Sequence, residues 1–487
     1  MIKTKLTKKE IALSALTFVI CHLVLLLTLF LMIVINTEGR IAEFMETEFS
    51  NIITVTVSVT FLSFVMYFYF LVENHEVLSR IRKIIEIYFL LCVSSLVCDV
   101  IGKYVSPMAR PLLFFALMAC MTFRRREAIF LNSVFMLILF VFNRYLNSVD
   151  ISGGSVPMIQ SFASLFIMFC CGIVGIFMLK RVKTRLGCVL VGLALFVPTI
   201  VINVVIQLPE MSSDMWKNIL DAVMFSIFDC ASSVLLFMCF LPVVEGLFSE
   251  LTAFRLRELT SDNAKIIARM KKHALGTYNH SVVVAQLAEA CASAIGEDSE
   301  LARAVAYYHD IGKLKNPEMF AENQSEYDLH KELTPELSVD IIRSHTKEGA
   351  KLIKKHRLPD IFADVAVQHH GTMPIKYFYA KALKMSDGEL NAMNYSYSGP
   401  TPTTKIAAII MIADASEAAA RSLSERTPEK VAALVSSIVE ERMNMEQFIE
   451  CDITMAELNT VTRTVINQLA GVYHSRVKYP KLVLSRK

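Results

Sequence analysis

Across residues 1 to 247 the chain is an almost unbroken succession of apolar runs, and this limits its fold more than any other feature. The hydrocarbon core of a bilayer is about 30 Å thick and takes roughly 20 apolar residues to cross as a helix. Runs of that order lie at 13–36, 52–72, 84–101, 109–123, 128–146, 157–179, 187–207 and 219–247, the fourth being short. Beyond 247 the character changes. Only 20% of the 487 residues are charged, and the second half holds most of them. Eight of the eleven histidines lie between His273 and His370. The reading is a polytopic membrane domain at 1–247, a connector helix at 248–272, a soluble domain at 273–478 and a tail at 479–487.

Charge in the connecting segments orients the spans. With eight spans and the N-terminus inside, the inner segments "KTKLTKK", "SRIRK", "RRR" and "KRVKTR" hold 14 Lys and Arg. The outer segments hold only Arg40, Lys103, Arg110, Arg144 and Lys217. Positive charge collects on the cytoplasmic side, so eight spans with both termini inside fit best. The first run is too long for a typical cleaved signal peptide, and no small-residue cleavage site follows it. A net charge of +3 gives no footing for nucleic acid. The eleven cysteines have no CxxC spacing, and nine lie in the apolar half, so they read as buried hydrophobes. Among ionisable residues in the spans, His22 and Asp229 stand out, while Glu86 and Asp99 lie nearer span ends. An intramembrane Asp is either a packed polar residue or a site; no regular pairing of charges marks a transport path.

The soluble half reads as all-α. "LTPELSVDIIRSH" offers Thr334 as N-cap with Pro335 and Glu336 behind it, and "RTPEKVAALV" repeats the pattern with Thr427, Pro428 and Glu429. "TKIAAIIMIADASEAAARSL" reads as a buried helix, and alternating strand patterns are absent. In this frame His280, His309, Asp310, His345, His369, His370 and Asp414 are candidate metal ligands, each in or beside a helix.

Each candidate has a plainer reading. A lone buried histidine is more often a hydrogen-bonded core residue. Asp414 is either a ligand or a capping carboxylate. In "QHHG" the two side chains diverge, so His370 is either a ligand or a neighbour facing substrate. Gly312, two residues after Asp310, fits a helix end. Lys313 is either a cation placed near a phosphate or a solvated lysine. His330 and His356 read as surface residues. As a set, imidazoles with carboxylates suit Zn, Mn or Fe better than Mg or Ca. The number of ligands exceeds one tetrahedral ion and fits two ions sharing a carboxylate. Such a pair supports phosphoryl displacement at neutral pH.

"GTYNHS", "AYYHDIGKLKNPEMFAENQ", "LTPELSVDIIRSHTKEGAKL", "QHHGT" and "GPTPTTKIAAIIMIADASEAAARSL", in that order over residues 250 to 478, resemble the HD-domain metal phosphohydrolases. More narrowly, the chain is similar to the bacterial seven-transmembrane receptors with an intracellular HD hydrolase, the family of the PgpH-type cyclic di-AMP phosphodiesterases. The resemblance implies an all-α HD domain facing the cytoplasm from the bacterial cytoplasmic membrane, two divalent ions (Fe or Mn), and hydrolysis of cyclic di-AMP to linear pApA. It implies that His280, His309, Asp310 and Asp414 hold one ion. Asp310 would bridge to a second, held by His345, His369 and His370. Lys313 and His370 would face the substrate, and membrane lipids surround the spans; a homo-oligomer stays open. The family's large extracellular domain is missing, since only "TEGRIAEFMETEFSN" follows the first span. Asn279 stands where many members have histidine. "HHGT" lacks the extended GYP-type motif of cyclic di-GMP hydrolases. The competing readings are an HD phosphohydrolase for another nucleotide and a non-catalytic nucleotide-binding receptor.

Overall fold

The computed structural model describes residues 6–37, 41–146, 158–182, 184–207, 215–324, 327–386 and 389–472. It divides into two compact units, Met1–Thr252 and Ala253–Lys487. Both are helical, and an isolated bridge between Pro374 and Ser396 is the only β pairing among the described residues.

The first unit contains α1 (Lys8–Thr37), the short α2 (Ile41–Thr47), α3 (Phe49–Glu73), α4 (His75–Ser79), α5 (Ile81–Tyr104), α6 (Phe114–Thr122) and α7 (Arg125–Tyr145). After these come α8 (Met158–Phe166), a π turn, α9 (Gly172–Leu179), α10 (Arg185–Gln207) and α11 (Met215–Phe248). Among the described residues seven helices are long and apolar enough to cross a membrane. α1 packs on α5, α3 on α7 and α10 on α11. Apolar side chains facing away from these contacts, such as Leu27 and Phe64, stay exposed on the bundle, as lipid-facing residues must. The protein is therefore a multi-pass membrane protein. The outer segments after α7 and α10 and the tail at 479–487 fall largely or wholly outside the described residues.

The expected fourth span at 109–123 is not a spanning helix. α6 has nine residues, about 14 Å at 1.5 Å per residue. It is nonetheless buried, from Leu112 to Cys120. Its ends lie at opposite ends of α5: the Arg110 side chain lies against Gly102, and Lys83 Nζ donates to Thr122 O at 2.7 Å. The chain thus passes along α5 as a turn plus a half-helix. Broken backbone at that depth needs a partner. Asp229 on α11 supplies it, accepting from Leu112 N at 3.0 Å and from Ser233 Oγ at 3.1 Å. His22 ties α1 to α3 through Thr60 and Ser63, each at 3.0 Å, and Asp99 accepts from Asn36.

The second unit begins with a correction. The connector expected at 248–272 is two short helices, α12 (Ala253–Leu259) and α13 (Lys265–His273). Between them "TSDN" is made of residues whose side chains compete with helical backbone bonds. Leu256 and Leu259 are buried, and Leu259 O accepts from Tyr308 Oη at 2.7 Å, so α12 belongs to the second unit. α14 (Leu275–Ile295) stops at Gly296, whose φ of 79° few other residues tolerate. α15 (Ser299–Tyr308) leads into a run of 3-10 turns from Ile311 to Lys331. Then come α16 (Pro335–Lys355), α17 (Asp360–Gln368), α18 (Lys376–Met385), α19 (Lys405–Ser422), α20 (Pro428–Asn444) and α21 (Met455–Val472). Thr334 and Thr427 cap α16 and α20 as their sequences predict. α19 is buried continuously from Ile406 to Asp414 and packs against α14, α20 and α21. A helix apolar all round belongs in a core.

Candidate metal centre

All seven candidate ligands converge. His280 comes from the second turn of α14, His309 and Asp310 from the end of α15, and His345 from α16. His369 and His370 close α17, and Asp414 projects from α19. Their ligand atoms form two groups within 4.8 Å: His280, His309, Asp310 and Asp414; and Asp310, His345, His369 and His370. Asp310 is common to both. Its Oδ2 lies 3.4 Å from His309 Nε2 and 3.8 Å from His280 Nε2; its Oδ1 lies 3.2 Å from His345 Nε2 and 3.6 Å from His369 Nε2. Asp414 Oδ1 lies 2.9 Å from His280 Nε2, and its Oδ2 lies 3.5 Å from His370 Nδ1.

The local folding explains the convergence. Adjacent helical residues point about 100° apart. His309 and Asp310 escape that limit because α15 ends at Tyr308 and the chain turns into the 3-10 run. Gly312 serves a different end from the one its position suggests. It is not in the left-handed region. Instead, a Cβ there would lie 1.9 Å from His345 O, so glycine lets this turn pack directly on α16. Gly371 does have a positive φ, 53°, and ends the "QHHG" turn.

The donor set fits divalent ions. The Nδ1 atoms of His309, His345 and His369 donate to the carbonyls of Ala306, Ile342 and Val365 at 2.6, 2.5 and 3.2 Å. A carbonyl only accepts, so Nδ1 carries a proton in both His345 and His369, and in neutral rings the two Nε2 lone pairs face each other at 3.3 Å. Two facing lone pairs repel unless a cation lies between or beside them. His309 Nε2 and Asp310 Oδ1 are buried without any hydrogen-bond partner. Burial holds the His369 imidazole down and the His370 imidazole well down, which keeps both in the neutral, metal-binding form. Burial pulls the Asp310 carboxyl up, but Lys313 and His309 outweigh it and hold it well below its ordinary range. Asp414 is likewise drawn up by burial and held well down by His280 and His309.

Lys313 is not a solvated surface lysine. Its Nζ lies 2.7 Å from Asp310 Oδ2 and 2.7 Å from Glu322 Oε1. Burial opposes its charge, and the two carboxylates raise the ammonium and keep it charged. The centre opens into a cavity of about 680 Å³ lined by Lys313, Phe320, Tyr397 and Arg442, among others.

Sequence reasoning missed three residues here. Glu417 accepts from His280 Nδ1 at 2.5 Å and pairs with Arg421. The signal was present, since Asp414, Glu417 and Arg421 recur on one face of an apolar helix. Glu322 anchors Lys313 and also accepts from Thr277 Oγ1 at 3.1 Å. Tyr397 stacks on His370 with ring centres 4.1 Å apart and planes at 25°; its loop carries no pattern that would have pointed to it. One expectation is corrected: His330 is buried, with Nε2 2.7 Å from Met319 O, because the 3-10 run folds back over it. His356 is exposed as expected.

The HD-domain family model matches residues 277–419, and the model of the 7TM receptor with intracellular HD hydrolase matches residues 49–252. Over 241 residues the chain is 46% identical to the cyclic-di-AMP phosphodiesterase PgpH of Listeria monocytogenes serotype 1/2a (strain 10403S), covering 49% of this chain and 33% of that protein. With PgpH of Bacillus subtilis (strain 168) the identity is 43% over 252 residues, 52% of this chain and 35% of the relative. The chain spans about a third of the length of these relatives. A crystal structure of the L. monocytogenes PgpH HD domain in complex with cyclic-di-AMP is 47% identical. That match covers 44% of this chain and 99% of the solved one, with a TM-score of 0.42.

Proposed function

We propose, for a chain that belongs to the seven-transmembrane receptors with an intracellular HD hydrolase, a membrane-bound, metal-dependent phosphodiesterase that hydrolyses cyclic di-AMP to linear pApA. The observation that carries the reading is the pair of ligand groups hinged on Asp310, opening into one cavity. The cyclic di-AMP specificity rests on the relatives' names and on their 43–46% identity over the half of the chain that holds the site. This reading includes a bacterial cytoplasmic membrane with the HD domain in the cytoplasm, supported by the family resemblance and by the charge asymmetry of the connecting segments counted for eight crossings.

In this reading His280, His309, Asp310 and Asp414 hold one ion, and Asp310, His345, His369 and His370 hold the other. The mixed set suits Zn, Mn or Fe, and the family resemblance narrows the choice to Fe or Mn. Two such ions supply a nucleophile at neutral pH and charge compensation for an in-line displacement at phosphorus. The chain's own groups do the positioning. The Nδ1 bonds of His309, His345 and His369 to backbone carbonyls fix those rings with Nε2 inward. Tyr397 holds His370 from its open face. Lys313 has three donors and two carboxylate partners, which leaves one N–H for a phosphoryl oxygen.

The test uses the full chain in detergent, loaded with Mn or Fe and offered cyclic di-AMP, cyclic di-GMP and pApA. The expected result is preferential conversion of cyclic di-AMP to pApA. Metal bound with no hydrolysis of any of the three would overturn the enzyme reading, and a preference for cyclic di-GMP would overturn the substrate.

A further inference from the structure

The cavity beside the centre holds a buried guanidinium that makes no direct ion pair. Arg442 on α20 is 9% exposed and lines the same cavity as His280, Lys313 and Asp414. Its Nη1 donates to Ile438 O at 3.1 Å, one turn back in its own helix, and its Nε has no partner. Other cations on this wall are neutralised. Lys313 faces Asp310 and Glu322, Arg421 pairs with Glu417, and Lys376 pairs with Glu441. Arg442 makes no ion pair among the described residues. The Asp414 and Glu441 carboxylates act on its charge from a distance without pairing with it: the Asp414 oxygens face His280 and His370, and Glu441 pairs with Lys376.

Burying an ion without a partner is strongly unfavourable. A guanidinium kept in that state at the wall of a cavity is poised for an anion that enters with a ligand. Its planar donor fork matches phosphate better than an ammonium does. A cyclic dinucleotide carries two phosphodiesters on opposite sides of its ring. When one meets the metal centre, the other still bears an uncompensated charge.

The geometry points to Arg442 as the subsite for that second, non-reacting phosphodiester, which makes the cavity selective for substrates with two phosphates. This inference rests on the phosphodiesterase reading above. Binding a remote group contributes chiefly to kcat/KM, and here through KM.

The experiment compares kcat/KM for cyclic di-AMP, with two phosphodiesters, and for bis(p-nitrophenyl) phosphate, with one, using the metal-loaded full chain in detergent. Arg442→Gln is expected to lower the ratio of the two at least tenfold, mostly through the KM for cyclic di-AMP. Arg442→Met, which keeps the packing of the stem, is expected to do the same and serves if the glutamine variant folds poorly. Metal content and melting temperature confirm that the variants are intact. An unchanged ratio in an intact variant would overturn the inference. A parent protein that cleaves the one-phosphate ester but not cyclic di-AMP would instead overturn the substrate proposed above.

Discussion

Glu417 shows how a residue outside the candidate ligand set can govern this site. It accepts a hydrogen bond from His280 Nδ1 and is itself held by Arg421, which fixes the His280 ring with Nε2 toward Asp414. Carboxylates in this position orient a metal-binding imidazole and raise its basicity, and their loss weakens metal binding by about 10- to 100-fold. Glu417→Gln is therefore expected to weaken the ion at the His280 group in a chelator competition while leaving the fold intact. Unaltered retention of both ions would show that Glu417 serves only packing. At this scale the sequence was informative wherever a residue type is rare in its context. His309, Asp310 and Asp414 stood out among apolar neighbours. Glu417 has the same standing, but it lies outside the HD pattern and its link to His280 spans 137 positions. Tyr397 could not have been found, since its role depends on a loop path that brings it over His370.

Among the helices, composition marks the apolar stretch 109–123 but does not say whether it crosses as one helix. Pro107 and Pro111, with Arg110 between them, break the start, so the helix begins only at Phe114. The freed backbone is served by Asp229, an intramembrane carboxylate whose partner, 117 residues earlier in the chain, no local pattern reveals. Asp229→Leu leaves the Leu112 N–H without that acceptor, at a cost of about 1–3 kcal/mol. The expected readout is a lower unfolding midpoint in detergent, with Asp229→Asn, which keeps an acceptor oxygen, close to the parent. Equal losses for Leu and Asn would mean that the carboxylate charge matters there instead. The connector departs from expectation for a related reason: one helix was expected over 248–272, but "TSDN" breaks it and the burial of Leu256 and Leu259 draws α12 into the core of the second unit.

For the whole molecule, the change in charge density near residue 250 falls where the chain divides into two helical units, the first of them carrying the long apolar helices. The convergence of seven candidate ligands spread over 135 positions could not be read there, since it takes the packing of α14, α15 and α17 against α19, with α16 against α17, to bring them together. In the intact protein the two ligand groups are not independent. Asp310 belongs to both, so removing it is expected to empty both, whereas removing His345 is expected to weaken one. The most direct test is metal stoichiometry of the purified full chain by elemental analysis. The prediction is two ions per chain in the parent and fewer than one in Asp310→Ala. A variant that still holds a full ion, or a parent that never holds more than one, would contradict a centre built on a shared carboxylate.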